Sequence, residues 1–402
     1  MVTSDILWHT DAGALMKLTT RLCPTSLIVL LLLVFSSVTS QAQTYRVVHT
    51  FIGDATGGYP GKSLAVDGAG NVYGSTVAGG ILDSGTLFKL SETGAFTTIY
   101  LFPGNPNGSG PFGALLFEGS GNIYGTTTYG GGDAYAGTVF RLTESGSESL
   151  LYSFLGTPDG ANPQDNLVRD HLGNLYGTTR YGGTMQAGTV FRIDLEGAET
   201  ILHSFGGAEG AFPQGSVIID PKGNVFGTVP NASKGGCVYK IDAGGNFSIL
   251  YTFAGGPDGM APTGSLARDT KGNVYGTTFE GGAHGFGIIF KVDKYGNETV
   301  LHSFTGKSDG ASPLSGLIID SAGNLYGTTF GGSRYGLGAV FIFTATGHLT
   351  TLHSFRGGSD GEVPYGGVTR DAKGNLYGTT WYGGKYNAGV IYKVTPSPTT
   401  SK

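Results

Sequence analysis

The chain has 402 residues, of which 13% are charged, and a net charge of −5. No basic stripe is available to neutralise phosphates, which excludes nucleic acid as an expected partner. Glycine, at 73 residues, is far above its ordinary share of about 7%, but 39% hydrophobic content with 21 Tyr and 23 Phe points to a folded, turn-rich protein rather than a disordered one.

The N-terminus reads as an export signal. Lys17 and Arg21 precede an apolar run over 27–35, followed by small and polar residues up to Gln43. The run is shorter than the roughly 20 residues of a membrane span. Residues 1–42 are therefore expected to be an upstream extension and signal peptide, cleaved before Gln41 or Gln43, with Met16 as the expected true start. Cys23 departs with the signal and leaves Cys237 with no intrachain partner, so the domain must be stable without a disulfide. The tail over 396–402 is expected to be disordered. Without an anchor there, the mature product is expected to be secreted, periplasmic or at the cell surface, with no membrane span.

Between these ends one string recurs. GNLYGTT and its variants place an Asn at Asn71, Asn122, Asn174, Asn224, Asn273, Asn324 and Asn375, in steps of 51, 52, 50, 49, 51 and 51 residues. Seven copies predict seven structural units. The unit from Ser265 to Phe304 contains four short strand candidates and no helical period. D-x-x-G-N joins the first two as a hairpin, and the glycine inside NVYGTT predicts close approach of a neighbouring sheet. The third strand is expected to alternate around Ile289, Phe290 and Lys291.

Four-stranded units of this length are propeller blades. The mature chain starts with a fourth strand, YRVVHTF over 45–51, and ends with a third strand, GVIYKV over 389–394. The expected fold is all-β: a seven-bladed β-propeller over 43–395, a single domain closed where the N-terminal strand completes the last blade.

The YGTT, GTVFKL and LHSF strings, at intervals of about 51 residues, resemble the GloVer tandem-repeat family of exported "choice-of-anchor" proteins over roughly residues 45–395. The resemblance implies secretion and a propeller-like repeat. It brings no settled activity and hence no catalytic residues, and the anchoring segment common in that family is missing here.

In a pseudo-symmetric ring, a residue type shared by every unit serves the fold, and a site breaks the pattern. The turn series Asp67, Glu118, Asp170, Asp220, Asp269, Asp320 and Asp371 is thereby structural. His49, His203, His302 and His353 share an outer-strand slot with Tyr100, Tyr152 and Tyr251, and on separate blades cannot converge on a metal. No cofactor or metal site is expected, and Cys237 reads as inert filling. Asp159, Glu209, Asp258, Asp309 and Asp360 in the D-G-x-x-P linkers read as turn formers. The units diverge just after the motif. Tyr129, Arg180, Tyr181, Phe279, Arg334, Tyr335, Trp381 and Tyr382 are the candidate ligand-binding residues there. Their chemistry suits a carbohydrate or protein partner bound by a monomeric, non-enzymatic module. Two alternatives stand beside it. One is a lyase or hydrolase with His284 as base and Glu280 or Arg180 assisting, and the other is a structural cell-surface repeat protein.

Overall fold

The computed structural model describes residues 6–8, 16–18, 43–118, 121–231 and 235–396. The expected signal run over 27–35, the cleavage region, Cys23 and the tail from 397 lie outside the described residues. Ile6–Trp8 pairs antiparallel with Met16–Leu18 as a hairpin of its own. Residues Gln43–Pro396 form a compact unit, a seven-bladed β-propeller of four-stranded antiparallel sheets. Its only helical segments among the described residues are three short 3₁₀ turns.

Blade five shows the build. Its strands are Ala267–Arg268, Val274–Thr278, Ile288–Val292 and Glu298–Ser303, hydrogen-bonded in chain order. The turn between the first two is held by Asp269. Oδ1 of this carboxylate accepts the Lys271 and Asn273 amides, and Oδ2 accepts the Asn273 side chain at 2.7 Å and the Tyr275 hydroxyl at 3.0 Å. Burial pushes this carboxyl up, but the four hydrogen bonds outweigh it and hold the group below the usual carboxylate range. The turn series is thus a set of caps that lock the motif Asn to its hairpin, and the motif Tyr as well in every blade but the fourth, which has Phe226 there.

Two local expectations are revised. The third strand does not alternate: Ile288, Ile289, Phe290 and Val292 are all fully buried, because a blade is covered on both faces by its neighbours. The mid-strand glycine does not admit a neighbouring sheet. Gly276 lies in register with Phe290 of its own blade, and a Cβ there would sit 2.5 Å from the ring. Aromatic rings cover this glycine in every blade, with Tyr239 and Tyr392 replacing Phe in blades four and seven. Those two blades carry Val217 and Val368 just before the first strand, where the others carry Leu64, Leu115, Leu167, Leu266 and Leu317. The shorter aliphatic offsets the added hydroxyl, conserving core volume.

Neighbouring blades are joined by the first hydroxyl of the motif's Thr pair, in which the last two residues stand as Ser75-Thr76 in blade one and Thr228-Val229 in blade four. Ser75, Thr126, Thr178, Thr228, Thr277 and Thr328 donate to the carbonyls of Gly113, Asp165, Gly215, Gly264, Ser315 and Gly366 in the following blade, at 2.9 to 3.5 Å. Thr379 of blade seven reaches Gly61 of blade one at 3.0 Å, so the series runs round the whole ring.

The outer seam is paired by residue type. His49, His203 and His353 stack on Phe96, Phe247 and Tyr45 of the next blade at 3.7, 3.8 and 3.5 Å. Where the slot holds Tyr100, Tyr152 or Tyr251, the next blade instead begins its outer strand with Glu148, Glu199 or Glu298. Tyr152 and Tyr251 also donate to Asp159 and Asp258 of the linkers, while His302 and His353 lie 3.1 and 2.9 Å from Asp309 and Asp360. These histidines and linker acids serve the seam, and no group of three or more His, Cys, Asp or Glu among the described residues is placed to hold a metal ion.

The ring closes at blade seven, where Thr44–Thr50 pairs with Val390–Thr395. Phe51 is fully buried and Tyr45 contacts His353, Phe355 and Tyr392. Deleting residues 45–51 is expected to abolish the cooperative thermal transition, and a circular-dichroism melt of the truncated chain checks this.

Burial, and then the charge of Asp258, pushes the Glu298 carboxyl up to about 7; burial and Asp159 do the same to Glu199. The folded state therefore binds these protons more tightly than the unfolded chain. That contribution is complete below the unfolded value of about 4.5 and is lost as pH rises through about 7. Glu298→Gln and Glu199→Gln should leave the urea midpoint nearly unchanged at pH 5 and raise it at pH 8.

Candidate functional site

Loops between second and third strands and the linkers between blades share one face. Strand pairing continues into them: Tyr129, Tyr181, Glu280 and Tyr382 pair their backbones with Ser109, Ala161, Met260 and Glu362 of the linkers. Because side chains alternate along paired backbone, residues at this position diverge from those just before them. The preceding position holds Val77, Thr128, Arg180, Pro230, Phe279, Phe330 and Trp381 around the ring.

The residue before each linker proline is left-handed in every blade, from φ 53° at Ser312 to 62° at Gly110. Such a conformation is costly for Tyr59, Phe212 or Val363. Each of their amides is nonetheless paired, to Ala388, Ala187 and Leu337 carbonyls at 2.9, 2.7 and 3.1 Å. Repetition in all units assigns this strain to the fold. It places the residue after the proline at the axis mouth: Gly61, Phe112, Gln164, Gln214, Thr263, Leu314 and Tyr365.

The next residue forms the neck of the ring. It is Gly113, Gly215, Gly264 and Gly366 in four blades and Ser315 in another. A Cβ at Gly264 would lie 2.4 Å from the Ser315 carbonyl oxygen, and one at Gly113 2.5 Å from that of Asp165. Backbone therefore meets backbone around the axis, and the cavity left there is only about 30 Å³. Blades one and three break the pattern with Lys62 and Asp165. Lys62 Nζ lies 2.9 Å from Asp165 Oδ1, donates to the Gln214 carbonyl at 3.2 Å and sits 5.3 Å from the Phe112 ring centre. Burial raises the Asp165 carboxyl, opposed first by Lys62 and then by the charge of Arg180. This ion pair closes the axis.

Above it runs an arc of half-buried rings. Phe279 and Phe330 lie 6.4 Å apart, as do Phe330 and Tyr365. Tyr365, Trp381 and Phe112 form a triangle with centroids 5.5 to 5.6 Å apart, and Tyr59 extends it at 5.7 Å from Trp381. Trp381 reaches across to blade two because Gly61 puts no side chain between them. From Phe112 the track continues through Lys62 and Asp165 to Gln164 and Arg180, whose Nη1 is 3.5 Å from Gln164 Oε1.

Of the sequence-predicted residues, Phe279, Arg180 and Trp381 thus face the mouth. Tyr129 stacks on Tyr135 of its own loop, Tyr181 packs on Phe212 and Tyr382 on Tyr59. Arg334 lies over Tyr335 at the tip of another loop, 5.4 Å from the ring centre. Glu280 and His284 are exposed in the blade-five loop; among the described residues no hydrogen bond links them to each other or to Arg180, and none of the three lines the axial cavity. Lys62, Asp165, Phe112 and Tyr365 were absent from the sequence reading. The signal for Lys62 and Asp165 was present as two charges in a slot otherwise filled by Gly or Ser. Cys237 is fully buried, donates to the Glu209 carbonyl and has its thiol pushed up to about 12 by burial and then by Glu209, consistent with filling rather than chemistry.

The family model described as the Gloeobacter/Verrucomicrobia repeat matches residues 33–235 and 217–402. No curated protein matches the chain in sequence. Among solved structures, the chain is similar to one described as the extracellular domain of a hybrid two-component system from B. thetaiotaomicron, at 13% identity and TM-score 0.56, over 87% of this chain and 40% of that one. Puromycin hydrolase is similar at 14% identity and TM-score 0.54, over 83% and 52%. A gluconolactonase from Xanthomonas campestris matches at 10% identity and TM-score 0.45, over 72% and 88%. Likeness at these identities is likeness of fold. Among the described residues no helix is long and apolar enough to cross a membrane.

Removing one partner of a buried ion pair leaves the other charge without compensation. Lys62→Met is expected to cost about 3–5 kcal/mol of stability, and Lys62→Met with Asp165→Asn to recover most of it, as read from urea denaturation midpoints.

Proposed function

This chain belongs to the Gloeobacter/Verrucomicrobia repeat family, and from that premise we propose an exported, non-enzymatic binding module that recognises its partner through the loop face. The observation that carries the reading is the narrow axis beneath a continuous arc of aromatic side chains. With a cavity of about 30 Å³, the axis has no room for a substrate, whereas the arc from Phe279 to Phe112 offers half-buried aromatic area at low entropic cost. The separation of Glu280 and His284 from Arg180 supports binding over acid–base chemistry, which needs groups within reach of one substrate. Export through the segment ahead of Gln43, and a mature chain built from a single propeller, complete the proposal.

The test is retention of the purified protein on isolated bacterial envelope material. Trp381→Ala and Phe112→Ala, with thermal midpoints close to that of the parent, are expected to reduce retention at least tenfold, a loss of about 1.4 kcal/mol. Unchanged retention in both variants removes the loop face from consideration.

A further inference from the structure

The mouth is chemically two-sided. Tyr59, Phe112, Phe279, Phe330, Tyr365 and Trp381 make one side aromatic. Blades three and four supply Gln164, Arg180 and Gln214 on the other. Between the two sides the axial charges balance, because Lys62 is spent on Asp165 at 2.9 Å and on a backbone carbonyl. Arg180 is not balanced in this way. Its polar contacts are a 3.5 Å approach to Gln164 and the electrostatic influence of Asp165, which is already paired. Its Nε is buried without a hydrogen-bond partner, and its guanidinium lies over the Tyr181 ring at 5.4 Å. A planar donor fork held by stacking, with unused N–H groups, suits a carboxylate. It stands out on a chain whose net charge is −5.

We propose, resting on the loop-face reading above, that the ligand is a saccharide bearing a carboxylate, its ring face stacked on Trp381, its flank against Phe112, which stands at 68° to that indole, and its acid group held by Arg180. The shape of the site favours a sugar over a peptide. Tight peptide recognition relies on anchoring side chains in fully desolvated pockets, and the axial cavity of about 30 Å³ admits none. A shallow surface of mutually tilted aromatic rings, flanked by the amides of Gln164 and Gln214, instead matches a pyranose, which is apolar on its faces and hydroxylated at its rim.

The experiment is calorimetric titration of the full chain with tetragalacturonate and with cellotetraose, a neutral tetramer. The acidic tetramer is expected to bind at least tenfold more tightly in 50 mM salt, and the advantage to shrink in 500 mM salt as screening grows. Arg180→Met should reduce the acidic affinity to about that of the neutral tetramer, whereas Trp381→Ala should weaken both. Arg180→Lys, which keeps the charge and loses the fork, is expected to fall between parent and Met variant and covers the case in which Arg180→Met does not fold. Equal affinity for the two tetramers, no binding of either, or an acidic preference that survives Arg180→Met overturns the proposal. If Trp381-dependent retention on envelope material persists after periodate oxidation of its glycans, the partner is a protein: the saccharide assignment fails while the loop-face reading stands. If nothing binds in a Trp381-dependent way, both fail.

Discussion

The structure depends on how closely seven backbones approach one another at the axis. The hydroxyl that begins each motif's final pair, Thr in six blades and Ser75 in one, reaches the neck carbonyl of the next blade in six cases and, from Thr379, the carbonyl of Gly61 just before the neck. The neck is mostly glycine because a Cβ there would meet the backbone of the adjoining blade. A buried hydroxyl without such an acceptor would be penalised by about 1–3 kcal/mol, so the motif and the slot specify each other across the blade boundary. GNLYGTT is therefore one half of a contact completed about 38 residues downstream, as in Thr277 to Ser315.

A neck this narrow decides where function can reside. Propellers with an open axis can admit a ligand along it, but here the last space is filled by Lys62 and Asp165. The pair cannot be judged by its Coulomb attraction alone, since burying both charges costs several kcal/mol each. What it secures is a narrow centre, and the variable residues lie above it in the loops, where strand alternation divides the residues after the motif into an inward and an outward set. Adjacent residues such as Arg180 and Tyr181, or Trp381 and Tyr382, consequently have different roles although both are variable.

Much of the fold was legible because it rests on repetition. Blade number, strand order and ring closure follow from the spacing of seven Asn residues and from the phase of the chain ends, and the turn role of Asp269 and its equivalents follows from their presence in every unit. The misreadings occurred where the answer lies in another strand or another blade. Burial on both faces of Ile288–Val292 cannot be seen from one strand, and the ring over Gly276 comes from a strand whose register with it is set in three dimensions. Mouth-facing residues were anticipated where the loops are long and conspicuous. They were overlooked in the linker, where Phe112 and Tyr365 occupy a position with no consensus and Lys62 and Asp165 stand 103 residues apart in sequence.

Departure from the repeat is thus a useful guide only after compensation is considered. Tyr239 departs from Phe, and Val217 answers it by yielding volume. Tyr100 departs from His, and Glu148 answers it across the seam, accepting its hydroxyl at 3.4 Å and the Asn107 amide at 2.9 Å. Lys62 departs from glycine, and Asp165 answers it at the axis. Each such pair restores a local balance of volume or charge and so belongs to the fold. Arg180 departs from the small and aromatic residues at its position, and no acid of its own balances it: beyond a 3.5 Å approach to Gln164 its charge meets only the already paired Asp165, beside an open aromatic surface. A half-buried charge without its own counter-ion is costly to maintain for stability alone, and a ligand that pairs it turns the cost into affinity.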